Sequence, residues 1–138
     1  MIILDTKVIS ALMYQVPDKR VVAWLDQQPR DSVWTTAITV LEVHFGLQLM
    51  ASGKRRSALV QGFELLLEKI GRRVAPFDAA AAQQAGDLMA SRQKKGTPGD
   101  LRDTMIAGIV LARRATLATR NVGHFEDISA PIVDPWKA

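Results

Sequence analysis

Apolar residues along this chain follow two rhythms. Short unbroken runs mark strands, and a spacing of three to four residues marks helices. Ile2-Ile3-Leu4 is an unbroken run that stops at Asp5, as expected for a parallel strand buried on both faces. Further strands are predicted at Val33-Trp34-Thr35, at Arg73-Val74 ahead of Pro76, across residues 115–119 and at Ile132-Val133. Helical spacing fills the intervals. Residues 19–27 place Val21, Val22 and Leu25 on one side, and residues 57–70 repeat Leu59, Phe63, Leu66, Leu67 and Ile70. Residues 38–50, the alanine-rich 79–92 and residues 101–114 complete the set. Residues 51–56 and 94–99 read as loops, the second because Gly96, Pro98 and Gly99 must end a helix. Strands alternating with helices predict an α/β fold with a mostly parallel sheet. No break is long enough to be a linker, so residues 1–138 are expected to form one domain.

Composition narrows the chemistry. Hydrophobic residues make up 48% and charged residues 23%, which predicts a folded chain rather than a disordered one. Cysteine is absent, so any metal must be held by oxygen or imidazole. His44 and His124 are the only histidines, too few for a His-rich zinc site. Lys and Arg number 18 against 14 Asp and Glu, a net charge of +4. That balance suits nucleic acid or an acidic protein surface as a partner and demands neither. No stretch reaches the length of a membrane span. The first residues lack the basic start of a secretion signal, and Asp5 interrupts their apolar run. A cytoplasmic protein without membrane contact is expected.

Three acids stand where burial is predicted. Asp5 follows the first strand, and open parallel sheets bind ligands outside the carboxyl ends of their strands. An Asp there also suits a helix N-cap. Glu42 shares a helix face with Ile38, Phe45 and Leu49, an apolar stripe in which a carboxylate is costly unless paired or bound to metal. Asp103 shares a face with Ile106, Ala107 and Val110 and lies in a helix's first turn, where the dipole favours negative charge. Asp100, one turn earlier, joins the cluster or caps the helix. Carboxylates gathered at one sheet edge repel one another and attract a cation. An all-oxygen site suits Mg²⁺ or Mn²⁺, and such an ion neutralises the developing charge of a phosphodiester and lowers the pKa of water.

The segments IILDTKVIS, TTAITVLEVHFGL, GDLRDTMIAGIVLARRATLATRN and VGHFED occur in the order seen in PIN-domain proteins. The chain most resembles the ribonuclease toxins of bacterial VapBC-type toxin–antitoxin pairs, including the FitB-like branch. The resemblance implies a three-layer α/β/α sandwich around a parallel sheet. It implies Asp5, Glu42 and Asp103 as the catalytic, metal-holding acids, directly or through water, with Thr6 and Thr119 lining the site. Two departures stand out. Lys7 occupies a position where many relatives have Asn, and the fourth acid of many relatives is replaced by Asn121 or His124, depending on the motif form. Glu126 and Asp127 read as solvated loop acids.

The resemblance further implies an Mg²⁺-dependent endoribonuclease, with Mn²⁺ as the alternative ion. Its expected partners are an RNA substrate, a cognate antitoxin and a second copy, as a homodimer or a larger toxin–antitoxin assembly. Lys7, Arg102, Arg120 and the run Lys54-Arg55-Arg56 are candidate phosphate contacts, although the run also reads as a solvated loop. The helices around Trp24 and Phe63 either carry apolar surface beyond what one small core needs, which a partner would cover, or lie wholly in the core. A haloacid-dehalogenase-like phosphatase needs an acid two residues after Asp5, where Lys7 stands. A phospho-receiver domain needs an acidic pair at the first strand, where Asp5 stands alone. The remaining alternative is a catalytically impaired PIN-like module that binds RNA or a partner.

Overall fold

Five short strands form one sheet in the order β3-β2-β1-β4-β5, with every neighbouring pair parallel. The strands, in a computed structural model that describes all 138 residues, are β1 (Ile2–Leu4), β2 (Val33–Thr36), β3 (Val74–Ala75), β4 (Thr116–Ala118) and β5 (Ile132–Val133). Six helices connect them: α1 (Thr6–Met13), α2 (Lys19–Asp26), α3 (Ala37–Leu49), α4 (Lys54–Lys69), α5 (Ala79–Lys94) and α6 (Leu101–Arg113). Every predicted strand and helix is present, and β3 begins one residue later than expected.

Two local readings are corrected. Lys54-Arg55-Arg56 is not loop but the exposed first turn of α4. Three cations at a helix N-terminus oppose the dipole, so the local charge does not mark the start of this helix. Helix α1 was not predicted, because eight residues give too few turns to display a period. Its start is nonetheless marked: Asp5 caps it by accepting the Val8 N–H at 3.1 Å.

Helices pack on both faces of the sheet. On one side Val8, Val21, Val43 and Phe63, from α1 to α4, meet Leu4, Val33 and Ala118. On the other, Ala81 and Leu88 of α5 and Ile106 and Val110 of α6 meet Ile3 and Leu117, closed by Phe125. These are the three layers expected. Of the two alternatives for the helices around Trp24 and Phe63, those two side chains take the core one, while Val60 and Leu65 of α4 remain exposed. The chain runs from β1 outward through β2 to β3, then returns to lay β4 on the other side of β1. That reversal puts the topological switch point, where such sheets bind ligands, between β1 and β4.

Candidate functional site

β1 and β4 end side by side, with Leu4 opposite Ala118, and the Asp5 N–H donates to the Ala118 carbonyl at 3.1 Å. The first residue beyond each strand is polar: Asp5 and Thr119. Both are buried, Asp5 at 4% exposure. The Asp5 carboxylate accepts from the Val8 N–H and from the Thr119 hydroxyl. Asp5 is thus a helix cap and a switch-point acid at once. Burial pushes its pKa up from 3.8 to about 6; the bonds from Thr119 and Val8 oppose the rise, and the charge of Asp103 adds to it. A buried carboxyl beside a second acid lacks positive charge, and a cation supplies it.

Asp103 faces this point from the first turn of α6. Ile106, Ala107 and Val110 on its face are buried, as predicted. Asp100 caps the helix, its carboxylate accepting the Asp103 N–H at 3.0 Å. Of the two replacements for the fourth acid, His124 is the one against the cluster. Its Nδ1 lies 3.2 Å from Asp103 Oδ2. Asn121 is held nearby, its N–H donating to Thr119 Oγ1 at 3.0 Å. A polar cavity of about 450 Å³ opens beside Asp103, lined by Asp100, His124 and Asp127 among others.

Glu42 is half-buried, but not for the reason its sequence neighbours suggested. Phe45 and Leu49 on its face are exposed at 54% and 71%. Helix α3 is apolar nearly all round, and its buried side is Ile38, Thr39, Val43 and Leu47. Glu42 is held by polar partners instead. Thr6 Oγ1 donates to its Oε1 at 2.7 Å. Since Thr6 spends its proton there, it accepts from Thr39 Oγ1 at 3.1 Å, and Thr39 accepts from Thr36 Oγ1 at 3.4 Å. This chain of hydroxyls keeps Glu42 an acceptor. Its Oε2 lies 3.7 Å from Arg102 Nε. Arg102, expected to contact phosphate, thus rests on a site acid, Arg120 stacks on Trp136 at 4.8 Å, and Lys7 is exposed.

The sequence profile described as PIN domain matches residues 2–130. The chain belongs to the PIN-domain family. Within that family it sits with the VapC- and FitB-type toxins. It is 39% identical over 99% of both chains to "VapC ribonuclease Y4jK" of Sinorhizobium fredii. It is 34% identical over 99% of both chains to "Toxin FitB" of Neisseria gonorrhoeae. Among solved structures, one titled "Structure of FitAB bound to IR36 DNA fragment" superposes with a TM-score of 0.87 at 34% identity. That match covers 99% of this chain and 96% of the other.

PIN-domain nucleases are typically metal-dependent, and the donors in this PIN domain can be tested for fit. Asp5 is buried with no cation paired to it and feels the charge of Asp103, and its oxygen donors are of the kind that suits a hard divalent cation. Glu42 does not complete the cluster: no three Asp, Glu or His side chains converge on one point. Glu42 lines a separate hollow of about 190 Å³ with Thr6, Ser10 and Gly46.

One residue of this PIN-domain site escaped sequence reasoning. Arg92 is 4% exposed, and it fans four hydrogen bonds onto Asp127, Thr104 and the His124 carbonyl. Asp127 is solvent-exposed, as expected of a loop acid, but it is also paired, and the Arg92 guanidinium holds it below the usual carboxylate range. A signal existed. Arg92 continues the buried stripe Ala81, Ala85, Leu88 at helical spacing, and a cation on such a stripe requires a partner.

Proposed function

We propose that this protein is the toxin of a type II toxin–antitoxin pair, a divalent-metal-dependent endoribonuclease acting at the crevice between Asp5 and Asp103. The observation that carries this reading is the buried Asp5 at the switch point, its pKa raised to about 6 by burial and by Asp103. Asp5 and Asp103 hold the ion, Mg²⁺ or Mn²⁺ by the oxygen donor set. When bound, it supplies Lewis acidity and neutralises charge on the phosphodiester. The Val8 N–H and the Thr119 hydroxyl orient Asp5. Glu42, bound by Thr6 in the adjoining hollow, acts on the ion and the phosphodiester through intervening water rather than by direct contact. Lys7, Arg102 and Arg120 contact RNA phosphates, Arg102 by leaving Glu42.

A cognate antitoxin and a second copy of the chain are the proposed protein partners. The apolar stripe Leu41, Phe45 and Leu49 on α3, exposed beside Glu42, is where a partner's apolar segment shields surface and site together.

The test is RNA cleavage by the purified protein with Mg²⁺ and with EDTA. Cleavage is expected only with the metal. Asp5→Asn, which keeps the helix cap, and Asp103→Ala are each expected to lower kcat by about 10²–10³-fold or more with circular dichroism unchanged. Full activity in both variants would overturn the assignment. A second reading, a binding module without catalysis, draws on Arg102 lying across Glu42 and on the absence of three converging acids. RNA binding with no metal-dependent cleavage would favour it.

A further inference from the structure

We propose that Arg92 is a positioning residue that sets the His124 imidazole against Asp103. Its Nε and Nη2 grip both Asp127 oxygens at 2.8 Å, and Nη2 also donates to the His124 carbonyl at 2.9 Å. Its Nη1 donates to Thr104 Oγ1 at 2.9 Å, and that hydroxyl donates in turn to the Asp100 carbonyl at 2.8 Å. One planar group thus ties the end of α5 to the residue after Asp103 on one side. On the other it ties α5 to the turn that carries His124.

The turn has little else to hold its ring in place. His124 itself is exposed at 61% of its side chain, and its only side-chain bond is to Asp103. Its backbone is pinned by the Asn121 carbonyl and by Arg92. An ion pair with one partner buried and the other, Asp127, open to solvent at 35% of its side chain contributes little net stability. What it does supply is geometry, because a guanidinium fork holds its partners in one plane and at fixed angles. Lysine keeps the charge and cannot make that fan.

The proposal rests on the ribonuclease reading for its kinetic consequence, so the experiment carries a second readout that does not. Arg92→Lys and the apolar replacement Arg92→Met with Asp127→Leu are compared with the unaltered protein by thermal melting, RNA cleavage kinetics and amide hydrogen exchange. Displacement of a site group by about an ångström costs about 10²-fold, so that loss is expected in kcat, with KM changed less than about threefold. The double replacement is expected to lose kcat while melting as the unaltered protein does. Exchange is expected to speed up at the His124 and Ile128 amides, which are bonded within the turn, and to stay unchanged in β1 and α6. In a His124→Ala background the Arg92→Lys loss is expected to shrink to about tenfold or less, because the two residues act through one contact. An equal loss in both backgrounds, an unchanged kcat, or unchanged exchange at those two amides would each overturn the proposal. If the unaltered protein cleaves no RNA, the ribonuclease reading fails, and the exchange measurement alone decides the clamp.

Discussion

Asp5 makes stability depend on pH in the opposite sense from most carboxylates. Its pKa is raised from 3.8 to about 6 in the fold, so the native state holds this proton more tightly than the unfolded chain does. Taken alone, its contribution to stability is fully present below pH 3.8 and is lost as pH rises through 6. A gap of about two units corresponds to about 3 kcal/mol. In EDTA, Asp5→Asn is therefore expected to be more stable than the unaltered protein at pH 8, by up to about 3 kcal/mol, with the gain nearly gone at pH 4. Denaturant titrations at the two pH values check this, and an equal difference at both would contradict it. Mg²⁺ is expected to raise the stability of the unaltered protein at pH 8 and not that of the Asn variant, since only a bound state gains by mass action. Arg102 on Glu42 is a different kind of contact. Its side chain is 46% exposed, and pairs of that sort contribute about 1 kcal/mol or less. It costs little to break when a phosphate arrives.

Between elements, α5 and α6 pack closely because Gly108 lets two helix backbones touch. A Cβ added there would sit 2.5 Å from the Ala81 carbonyl oxygen and 2.8 Å from Ala85 Cβ. Alanine favours helix over glycine by about 1 kcal/mol, but overpacking a helix contact costs about 1–3 kcal/mol. Gly108→Ala is expected to lower the melting temperature. Gly86→Ala on α5, with nothing near its added Cβ, is expected to raise stability by about 0.5–1 kcal/mol. If both variants shift the same way, the close approach is not what requires Gly108. Helix α5 was legible from its alanine content, and α6 from the apolar face it shares with Asp103. Periodicity misassigned the buried side of α3 because Leu41, Phe45 and Leu49 are apolar and exposed while Val43 and Leu47 are apolar and buried. A helix apolar all round does not disclose its rotation.

For the whole molecule, a net charge of +4 must coexist with an acidic crevice. RNA binding by this arrangement is expected to be electrostatic, because the chain offers few aromatics for stacking. Each phosphate contact on single-stranded RNA adds about 0.7 to the slope of log affinity against log salt. Contacts from Lys7, Arg102 and Arg120 then weaken binding about twentyfold for a fourfold rise in salt. Fluorescence anisotropy with the Asp103→Asn protein measures this, and salt-independent binding would contradict it. Lys7→Ala is expected to reduce the slope by about 0.7. The sequence by itself determined the α/β alternation, the place of Asp5 at the end of a buried strand, and the place of Asp103 above an apolar helix face. These are local properties, carried by the period of a few consecutive side chains. Only the tertiary structure decided that β1 lies between β2 and β4, and it brings Asp5 within reach of the Asp103 charge across about a hundred residues of chain. It also chose His124 over Asn121 as the neighbour of Asp103, gave Arg102 to Glu42, and turned Arg92 inward to Asp127. Those pairings depend on which elements become neighbours and how each is turned about its axis. Both follow from packing over the whole sheet, and no single stretch of sequence contains them.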